Sequence, residues 1–331
     1  MKPKISLIVL NWNGQPWLKN CFTSIYQQDF KKFEVILADN NSTDNSIKYT
    51  KKYWPKVRIV SFKNNLGYVG ANNLAAQKAQ GKYLLFLNND TKIQPNFLRS
   101  LSKEASSNKI LTPQAFDYQG EKVFPKDKPF LGLGRFGYPV FSLHPFYADG
   151  SALFIAKQAF NNLGGFDEDY FIFHEDIDLC WRAQLVGFKI TPVPEAKIYH
   201  AAGGTLEGSK IKTGQRHRTS TLRRFLTEKN ALSNLLKNYG LISLILFLPI
   251  FLIIGWGEAF LYLLSGQPTA SLAIIRAHWW NLTNLKKTLK KRARIQKTRR
   301  VDEKEMLKFF SKGSGKWSTF KKIGIPKVKK S

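Results

Sequence analysis

Short apolar runs alternate with helix-like segments over the first 90 residues of this chain. The runs are rich in β-branched or aromatic residues and cover positions 5–10, 33–38, 57–61 and 83–87. The segments between them carry apolar residues at intervals of three and four, the spacing of one helix face. Buried strands joined by helices run parallel, so the pattern predicts an α/β fold with a mostly parallel sheet.

Polar clusters follow these predicted strands, at Asn11-Trp12-Asn13, Asp39-Asn40-Asn41, Lys63-Asn64-Asn65 and Asn88-Asn89-Asp90. In open α/β sheets, ligands bind beyond the carboxyl ends of the strands, which is where these clusters fall. Asp90 is well placed there to hold a divalent cation on a phosphate-bearing ligand. It is equally consistent with an ordinary strand-end aspartate that caps a turn, and Asp39 has the same two interpretations.

Three carboxylates crowd the first turn of a predicted helix that begins near Glu175, namely Glu175, Asp176 and Asp178. The helix dipole favours acids there, but three acids in four residues repel one another and exceed what a cap requires. A carboxylate held in a cleft can act as a general base toward a hydroxyl. His200, one of five histidines, is either structural or a ligand.

These blocks together resemble the family 2 glycosyltransferases, and most of all the rhamnosyltransferase-like branch. Positions 5–11, 39–44, 64–68 with Asn72-Asn73, and 87–91 resemble the nucleotide-binding half. Positions 164–168, 175–182 and Gly187 resemble the acceptor half. The resemblance covers residues 4–235, with all blocks in order.

The resemblance implies a GT-A fold, which is Rossmann-like, and an inverting transfer from a nucleotide sugar. It implies Asp176 as the catalytic base, and it places Asp90 and His200 on Mg²⁺ or Mn²⁺. The residues it assigns to the nucleotide sugar are Asn11, Asn13, Asp39, Asn65, Gly67, Asn72 and Asn89; those on the acceptor side are Glu175, Trp181 and Arg182. One position departs from the family pattern, since Asn88 stands where the metal-binding motif begins with an acid.

The same resemblance suggests the substrates. The donor is expected to be a dTDP- or UDP-linked sugar, with rhamnose as the sugar that the branch favours. The acceptor is expected to be lipid-linked or a polysaccharide. The competing hypotheses are a catalytically degenerate membrane scaffold and a nucleic-acid-binding protein.

The net charge of +29 is unevenly spread, because positions 276–331 hold nineteen Lys or Arg against three acids. Such a basic tail suits an anionic partner, either a nucleic acid or a membrane. The basic residues are not interleaved with stacking aromatics, and no nucleic-acid motif occurs, so a membrane surface is the expected partner. The two cysteines, Cys21 and Cys180, cannot build a disulfide framework, which favours a reducing compartment.

An apolar stretch at positions 241–264, broken only by Glu258, is long enough to cross a bilayer. A single crossing would separate the basic tail from a cytoplasmic catalytic domain, so we expect a monotopic or re-entrant association with the cytoplasmic face. Pro249 and Gly255-Trp256-Gly257 are positions where the apolar helix could bend. Positions 270–285 could then form the returning helix. The alternative is that the apolar stretch forms a buried helical hairpin in a soluble protein.

The predicted layout has three parts. A glycosyltransferase domain covers 1–235, with a nucleotide-sugar half at 1–112, an irregular acceptor-side loop at 113–148 that could act as a lid, and an acceptor half at 149–235. Membrane-associated helices cover 236–285, and a basic tail covers 286–331.

Overall fold

The computed structural model describes residues 3–201, 218–311, 315–316, 320–321 and 324–329. The chain divides into two compact units. The first unit comprises Met1–Lys126, Tyr147–Cys180 and Phe188–Thr205, and the second comprises Asp127–Phe146, Trp181–Gly187 and Leu206–Ser331. The predicted layout instead placed boundaries after residues 235 and 285, whereas the second unit also contains residues 127–146 and 181–187. Residues 202–217 of the predicted domain and 312–314, 317–319, 322–323 and 330–331 of the predicted tail lie outside the described residues.

The first unit is built on an eight-stranded sheet with strand order β3-β2-β1-β4-β9-β6-β10-β5. Its strands are β1 (Ile5–Asn11), β2 (Phe33–Asp39), β3 (Arg58–Ser61), β4 (Tyr83–Asn88), β5 (Thr91–Ile93), β6 (Lys109–Asp117), β9 (Ala152–Ala156) and β10 (Lys189–His200). The first four strands are parallel, as predicted. β9 is antiparallel to β4 and β6, and β5 is antiparallel to β10, so the sheet is mixed.

The helices that accompany this sheet are α1 (Gln15–Tyr26), α2 (Ser46–Tyr53), α3 (Gly67–Lys78), α4 (Phe97–Glu104), α5 (Lys157–Asn162) and α6 (Glu175–Leu185). α1 buries Leu18, Cys21, Phe22 and Ile25, the stripe expected from its spacing. α2 begins at Ser46, whose backbone amide donates to the Asp44 carboxylate at 3.0 Å. β10 is one long strand, and its register with β6 shifts between Val193 and Lys197, the stretch that contains Pro194.

Residues 113–148 contain three strand segments that the sequence did not predict, separated by irregular stretches. β6 continues to Asp117, and a hairpin of β7 (Phe130–Gly134) and β8 (Pro139–Ser142) follows. Glycines conceal the strand period, yet the hairpin needs them. A Cβ on Gly132 would lie 2.5 Å from Cβ of Ser142, and Gly137 adopts φ +75° in the turn. The role of this segment as a lid stays a prediction.

The second unit is mainly helical. Its helices are α7 (Thr221–Asn238), α8 (Leu241–Leu264), α9 (Pro268–Thr283), α10 (Leu285–Thr298) and α11 (Glu303–Lys308). Its remaining strands are β11 (Arg218–Ser220), β12 (Phe310–Ser311) and β13 (Lys327–Lys329); β12 joins the hairpin, and β11 pairs with β13.

α8 runs unbroken through Pro249 and Gly255, the places where the sequence offered a bend. The chain turns after Leu264 instead, where Gly266 adopts φ +72°, and it returns as the expected α9. Within the described residues, α8 is the one helix long and apolar enough to cross a membrane. The turn between α8 and α9 therefore supplies the reversal that the sequence placed inside the apolar stretch.

The first part of the basic tail is a packed helix. Arg292 of α10 donates to the carbonyls of Leu236 and Tyr239, and Gln296 donates to three carbonyls at the end of α7. A helix end leaves carbonyl groups without partners inside the helix, and these side chains satisfy them. The start of the tail thus caps α7 while most of its lysines face solvent.

Candidate active site

A chain of polar side chains crosses the carboxyl ends of β2, β1 and β4. Asn11 Nδ2 donates to Asp39 Oδ1 at 3.0 Å, and Asn89 Nδ2 donates to Asn11 Oδ1 at 2.7 Å. Asn11 is 0% exposed and bridges its two neighbours, and its role in nucleotide-sugar binding stays a prediction. A Cβ on Gly14 would lie 1.9 Å from Asn89 Nδ2, which explains the glycine there.

The loops after β1 and β2 are tied to each other beside this chain. Ser42 Oγ accepts hydrogen bonds from the side-chain Nδ2 of Asn11 and from the backbone amide of Asn13. The backbone amide of Ser42 in turn donates to Asp39 Oδ2 at 3.1 Å. Asn13 adopts φ +49°, and its Oδ1 accepts from the Thr43 amide at 2.7 Å. The predicted nucleotide residues Asn13 and Asp39 therefore form one cross-linked rim, in which both Asp39 oxygens are hydrogen-bonded.

A second polar cluster fixes the start of α3. Asn65 Oδ1 accepts from Asn40 Nδ2 at 2.8 Å and from the Gly67 amide at 2.9 Å. Gly67 adopts φ +70°, and a Cβ there would lie 2.3 Å from the carbonyl oxygen of Phe171. Only glycine fits this close approach, so Asn65 and Gly67 set the geometry of the turn that leads into α3.

Asn72, on the same helix, is 1% exposed. Neither its Nδ2 nor its Oδ1 has a hydrogen-bond partner among the described residues. A buried amide without partners costs roughly 1–3 kcal/mol. By contrast, both side-chain polar atoms of its neighbour Asn73 are hydrogen-bonded: Nδ2 donates to the Phe166 carbonyl, and Oδ1 accepts from the Phe166 amide.

Asp90 and His200 meet where β5 pairs with β10. Nε2 of His200 lies 3.1 Å from Oδ1 of Asp90, and the Asp90 carboxylate is largely buried. The antiparallel register sets His200 opposite Thr91, and the Ala201 amide donates to the carbonyl of Asp90. Nδ2 of Asn88 lies 3.5 Å from the same imidazole nitrogen. The structure therefore brings the two predicted metal ligands together.

The donor set of this pair suits a divalent cation. One carboxylate and one imidazole are ordinary ligands of Mn²⁺, and carboxylates suit Mg²⁺. Among the described residues, no group of three or more His, Cys, Asp or Glu side chains could enclose a metal ion. Two protein ligands leave several coordination positions for diphosphate oxygens and water, so the residues fit a cation that arrives with its substrate.

Asp176 lies in the first turn of α6 and is held by two backbone amides. The Gly150 amide donates to its Oδ2 at 3.0 Å, and the Ile177 amide donates to its Oδ1 at 2.8 Å. Gly150 belongs to a turn, 149–151, that precedes β9. The carbonyl of Ser151 in this turn accepts from the Asn88 amide at 3.0 Å. One turn thus touches both the segment that ends in Asp90 and the carboxylate of Asp176.

Burial and, after it, the charge of the nearby Asp149 carboxylate together raise the pKa of Asp176 to about 7, although the hydrogen bonds from the Ile177 and Gly150 amides act in the opposite direction. Burial and the Asp176 charge also hold the pKa of Glu175 well above its usual range. Glu175 is 4% exposed. The pair therefore keeps a proton near neutral pH, and Asp176 titrates where a general base is most effective.

The segment that enters α6 has an unusual backbone. Phe173 adopts φ +74° and His174 φ +64°, two consecutive non-glycine residues in the left-handed region. Such conformations persist only where the surroundings enforce them, and they cluster at functional sites. This strained entry fixes the point at which the acidic turn begins.

Trp181 belongs to a buried aromatic cluster, and its acceptor-side role stays a prediction. It is 1% exposed, and its ring packs edge-on against Phe146, Tyr239 and Phe310 within the second unit. A large aromatic ring gains more from such a core than from solvent. Arg182 follows it on α6 and is largely buried, so its acceptor-side role stays a prediction.

Sequence reasoning missed Asp149, Gly150 and Tyr68 as members of the site. An Asp-Gly pair directly before a predicted strand is a turn signal, and Tyr68 stands inside the motif that begins at Asn64. Neither signal indicates a contact with Asp176, because the contact runs through backbone atoms.

Residues 6–164 match the family model described as glycosyl transferase family 2. The chain is 26% identical to the O-antigen biosynthesis protein RfbC of Myxococcus xanthus, over 60% of this chain and 17% of that protein. It is 26% identical to the N-acetylglucosaminyl-diphospho-decaprenol L-rhamnosyltransferase of Mycobacterium tuberculosis, over 60% of this chain and 76% of that protein. It is 25% identical to the rhamnosyltransferase WbbL of Escherichia coli, over 72% of this chain and 98% of that protein.

Solved structures share the fold at low sequence identity. Residues 1–349 of TarS from S. aureus, in complex with UDP-GlcNAc, align with a TM-score of 0.56 and 18% identity, over 83% of this chain and 81% of that one. The mannosyltransferase PcManGT from Pyrobaculum calidifontis, in complex with GDP-Man and Mn²⁺, aligns with a TM-score of 0.52 and 15% identity, over 90% and 86%. The family match over residues 6–164, the relatives and the shared fold together show a glycosyltransferase domain of family 2 with a GT-A fold, similar to rhamnosyltransferases.

Proposed function

We propose that this glycosyltransferase transfers a sugar, rhamnose in the first instance, from a dTDP- or UDP-linked donor to a hydroxyl of a lipid-linked or polysaccharide acceptor. The observation that carries the proposal is the turn 149–151. It hydrogen-bonds to Asn88, two residues before Asp90, and to Asp176. A diphosphate site and a candidate base therefore lie within reach of one substrate pair.

Asp90 and His200 would hold the divalent cation, Mg²⁺ or Mn²⁺, with the donor diphosphate. When bound, such a cation offsets the negative charge of the departing diphosphate. The relative from Pyrobaculum calidifontis carries Mn²⁺ with its donor, which supports this assignment. Asn88 would supply at most a neutral oxygen at the first position of the motif.

Asp176 would act as the general base. Its ionised carboxylate takes the proton of the acceptor hydroxyl while that oxygen forms a bond to the anomeric carbon, and the bond from this carbon to the diphosphate oxygen breaks. A single base and attack from the face opposite the leaving group give inversion. A pKa of about 7 suits this task, because half of the molecules then hold the base form at neutral pH.

The relatives support the choice of substrates. One is named for transfer of L-rhamnose to a lipid-linked N-acetylglucosamine, and another is a named rhamnosyltransferase that aligns over nearly its whole length. The chain retains Asp90, His200 and Asp176, with Asp90 beside His200, which disfavours the degenerate scaffold. The basic residues of α10 suit any anionic partner, but they are not interleaved with stacking aromatics, which disfavours nucleic-acid binding.

The second unit supports an association with the cytoplasmic face of a membrane, monotopic or re-entrant. α8 exposes a row of large apolar side chains, with Ile242 75% and Leu264 70% exposed, and α9 exposes Trp279. Soluble proteins rarely leave so large an apolar surface uncovered, and a buried core hairpin would hide it. The lysines of α10 would add attraction to anionic lipids, about 1 kcal/mol for each one near the surface.

The reaction is tested with a panel of nucleotide sugars and polyprenyl-diphosphate-linked or free saccharide acceptors, each with and without Mn²⁺. We expect release of a nucleoside diphosphate and an acceptor product of inverted configuration, with a deoxysugar donor preferred. The Asp176→Asn variant should lose turnover by a factor on the order of 10² or more while it still binds the donor. Turnover with no donor of the panel would reject the proposal, and near-normal turnover of the variant would move the base to Glu175 or Asp178.

A further inference from the structure

Tyr68 is connected to the candidate base through a single residue. Its hydroxyl donates to the carbonyl of Gly150 at 2.7 Å, and the amide of the same Gly150 donates to Asp176 Oδ2 at 3.0 Å. The Tyr68 ring is buried and packs edge-on against Phe166 at 5.6 Å. The hydroxyl is therefore held in place by a rigid ring.

The Tyr68 hydroxyl and the Glu175 carboxyl lie close to the backbone of Gly150. A Cβ added there would lie 3.4 Å from the Tyr68 hydroxyl and 3.5 Å from Oε1 of Glu175. The Tyr68 hydroxyl and the Glu175 carboxyl thus approach the Gly150 backbone on the side where a side chain would stand. The position of this backbone decides where the amide that reaches Asp176 points.

The titratable groups that face Asp176 are Asp149, Glu175, Tyr68 and Tyr147. Burial and the carboxylates of Glu175, Asp176 and Asp149 raise the pKa of Tyr68 well above its usual value. The phenol stays neutral over the working pH range and keeps its hydrogen for the Gly150 carbonyl. Tyr68 is therefore a permanent donor in this arrangement.

We propose that Tyr68 is a positioning residue that fixes Asp176 through the backbone of Gly150. The inference rests on the proposed function, in which Asp176 is the base. Tyr68 follows Gly67, whose amide donates to Asn65 Oδ1. The start of α3 therefore contains both the predicted donor-side residues and the tyrosine that holds the turn beside Asp176. The carboxylate of Asp176 then faces the acceptor hydroxyl in one orientation.

The Tyr68→Phe variant keeps the ring and removes the hydroxyl. The Gly150 carbonyl loses its partner, and we expect kcat to fall roughly tenfold with the donor KM unchanged within about twofold. The Gly150 amide lowers the pKa of Asp176 by donating to it, so a weakened bond should raise that pKa. The acidic limb of the kcat profile should therefore move to higher pH, which a purely structural role would not cause.

Turnover is normalised to donor-binding sites, so partial unfolding cannot imitate the effect. Tyr83→Phe is the matched control, because Tyr83 is a buried tyrosine at the opposite end of β4, stacked on Phe154, and its loss of a hydroxyl should leave kcat and its pH profile unchanged. Combining Tyr68→Phe with Asp176→Asn should add no further loss, since one residue acts through the other.

An unchanged pH profile of Tyr68→Phe, or fully additive losses in the double variant, would overturn the positioning role while Asp176→Asn still reports a working base. Near-normal turnover of Asp176→Asn itself would instead reject the base assignment, and the inference with it. The two failures are therefore distinguishable.

Discussion

The imidazole of His200 lies 3.1 Å from the carboxylate of Asp90, although the two residues belong to segments far apart in the chain. The pairing of β5 with β10 creates this contact, because it sets His200 opposite Thr91. A carboxylate beside an imidazole at the carboxyl edge of the sheet is a ready pair of ligands for a cation that accompanies a diphosphate.

We expect Asp90→Ala to abolish most of the metal-dependent activity and to leave the fold intact. The side chain provides the charged ligand of the pair, and His200 alone offers one neutral nitrogen. Calorimetric titration of the nucleotide sugar with and without Mn²⁺ should lose the metal-dependent part of the affinity. Asp29→Ala removes a carboxylate paired with Arg99 at 2.7 Å on the surface and should bind normally. Undiminished metal-dependent binding by Asp90→Ala would show that other groups hold the cation.

The pKa of Asp176 predicts two dependences on pH. Only the ionised carboxylate accepts a proton, so kcat should rise with pH and level off above about 7. The folded chain keeps a proton on Asp176 over the interval from the ordinary carboxyl range to about 7, where the unfolded chain has lost it. The free energy of unfolding should therefore decrease as pH rises through this interval.

Asp176→Asn removes this titration, so its free energy of unfolding should fall less steeply with pH than that of the native chain. Urea unfolding at a series of pH values measures the difference. Parallel curves for the two proteins would mean that Asp176 ionises normally, and a rate that is flat between pH 5 and pH 8 would contradict its role as the base.

Much of the first unit could be predicted from the sequence, because its strands are buried on both faces. The strands predicted at 5–10, 33–38 and 83–87 are each one residue longer in the structure. The added residues are Asn11, Asp39 and Asn88, which lie at the predicted carboxyl edge of the sheet. A continuous apolar run bounded by polar residues leaves little freedom in where such a strand begins and ends. The same argument located α8 and α9.

The contacts that complete the site could not be predicted from patterns of residues in the sequence. The register of β5 against β10 joins distant segments, and the link from Tyr68 to Asp176 uses the backbone of Gly150, which any residue possesses. The family resemblance assigned Trp181 to the acceptor side, whereas the aromatic cluster around it is assembled from three separate segments. Long-range packing decides such positions.

Lys316 is expected to stabilise the second unit. Its Nζ lies 2.7 Å from a carboxylate oxygen of both Glu228 and Glu258, and Glu228 is nearly completely buried. Although burial opposes ionisation, Lys316 and His278 hold the pKa of Glu228 well below its usual range. Lys316→Met would remove the cation that lies between the two carboxylates and leave only Arg224 on Glu258 and His278 on Glu228, and we expect a loss of about 3 kcal/mol in the free energy of unfolding.

Chemical denaturation of the two proteins at neutral pH measures this loss. Lys308→Met is the matched control, because Lys308 pairs with Glu305 at the surface and should change the stability by less than about 0.5 kcal/mol. Equal effects of both substitutions would show that the buried pair contributes no more than a surface pair.

The apolar surface of α8 predicts binding to membranes. Ile242 and Ile253 are 75% and 70% exposed and lie eleven residues apart, which puts them on one face of the helix. Changing both to Gln should weaken cosedimentation with vesicles that contain anionic lipid by about tenfold or more, because each loses the gain from apolar burial. Leu74→Gln combined with Val123→Gln alters two exposed apolar residues of the first unit and should leave binding unchanged.

Salt and topology separate the two parts of this interaction. High salt should weaken binding through the lysines of α10, whereas the apolar contribution of α8 should persist. Complete release by high salt alone would mean that α8 does not insert. Because α8 is followed by the returning helix α9, we expect a reporter fused to the C-terminus and active only in the cytoplasm to be active. A silent reporter would instead indicate that α8 crosses the membrane once and carries the basic tail to the opposite side.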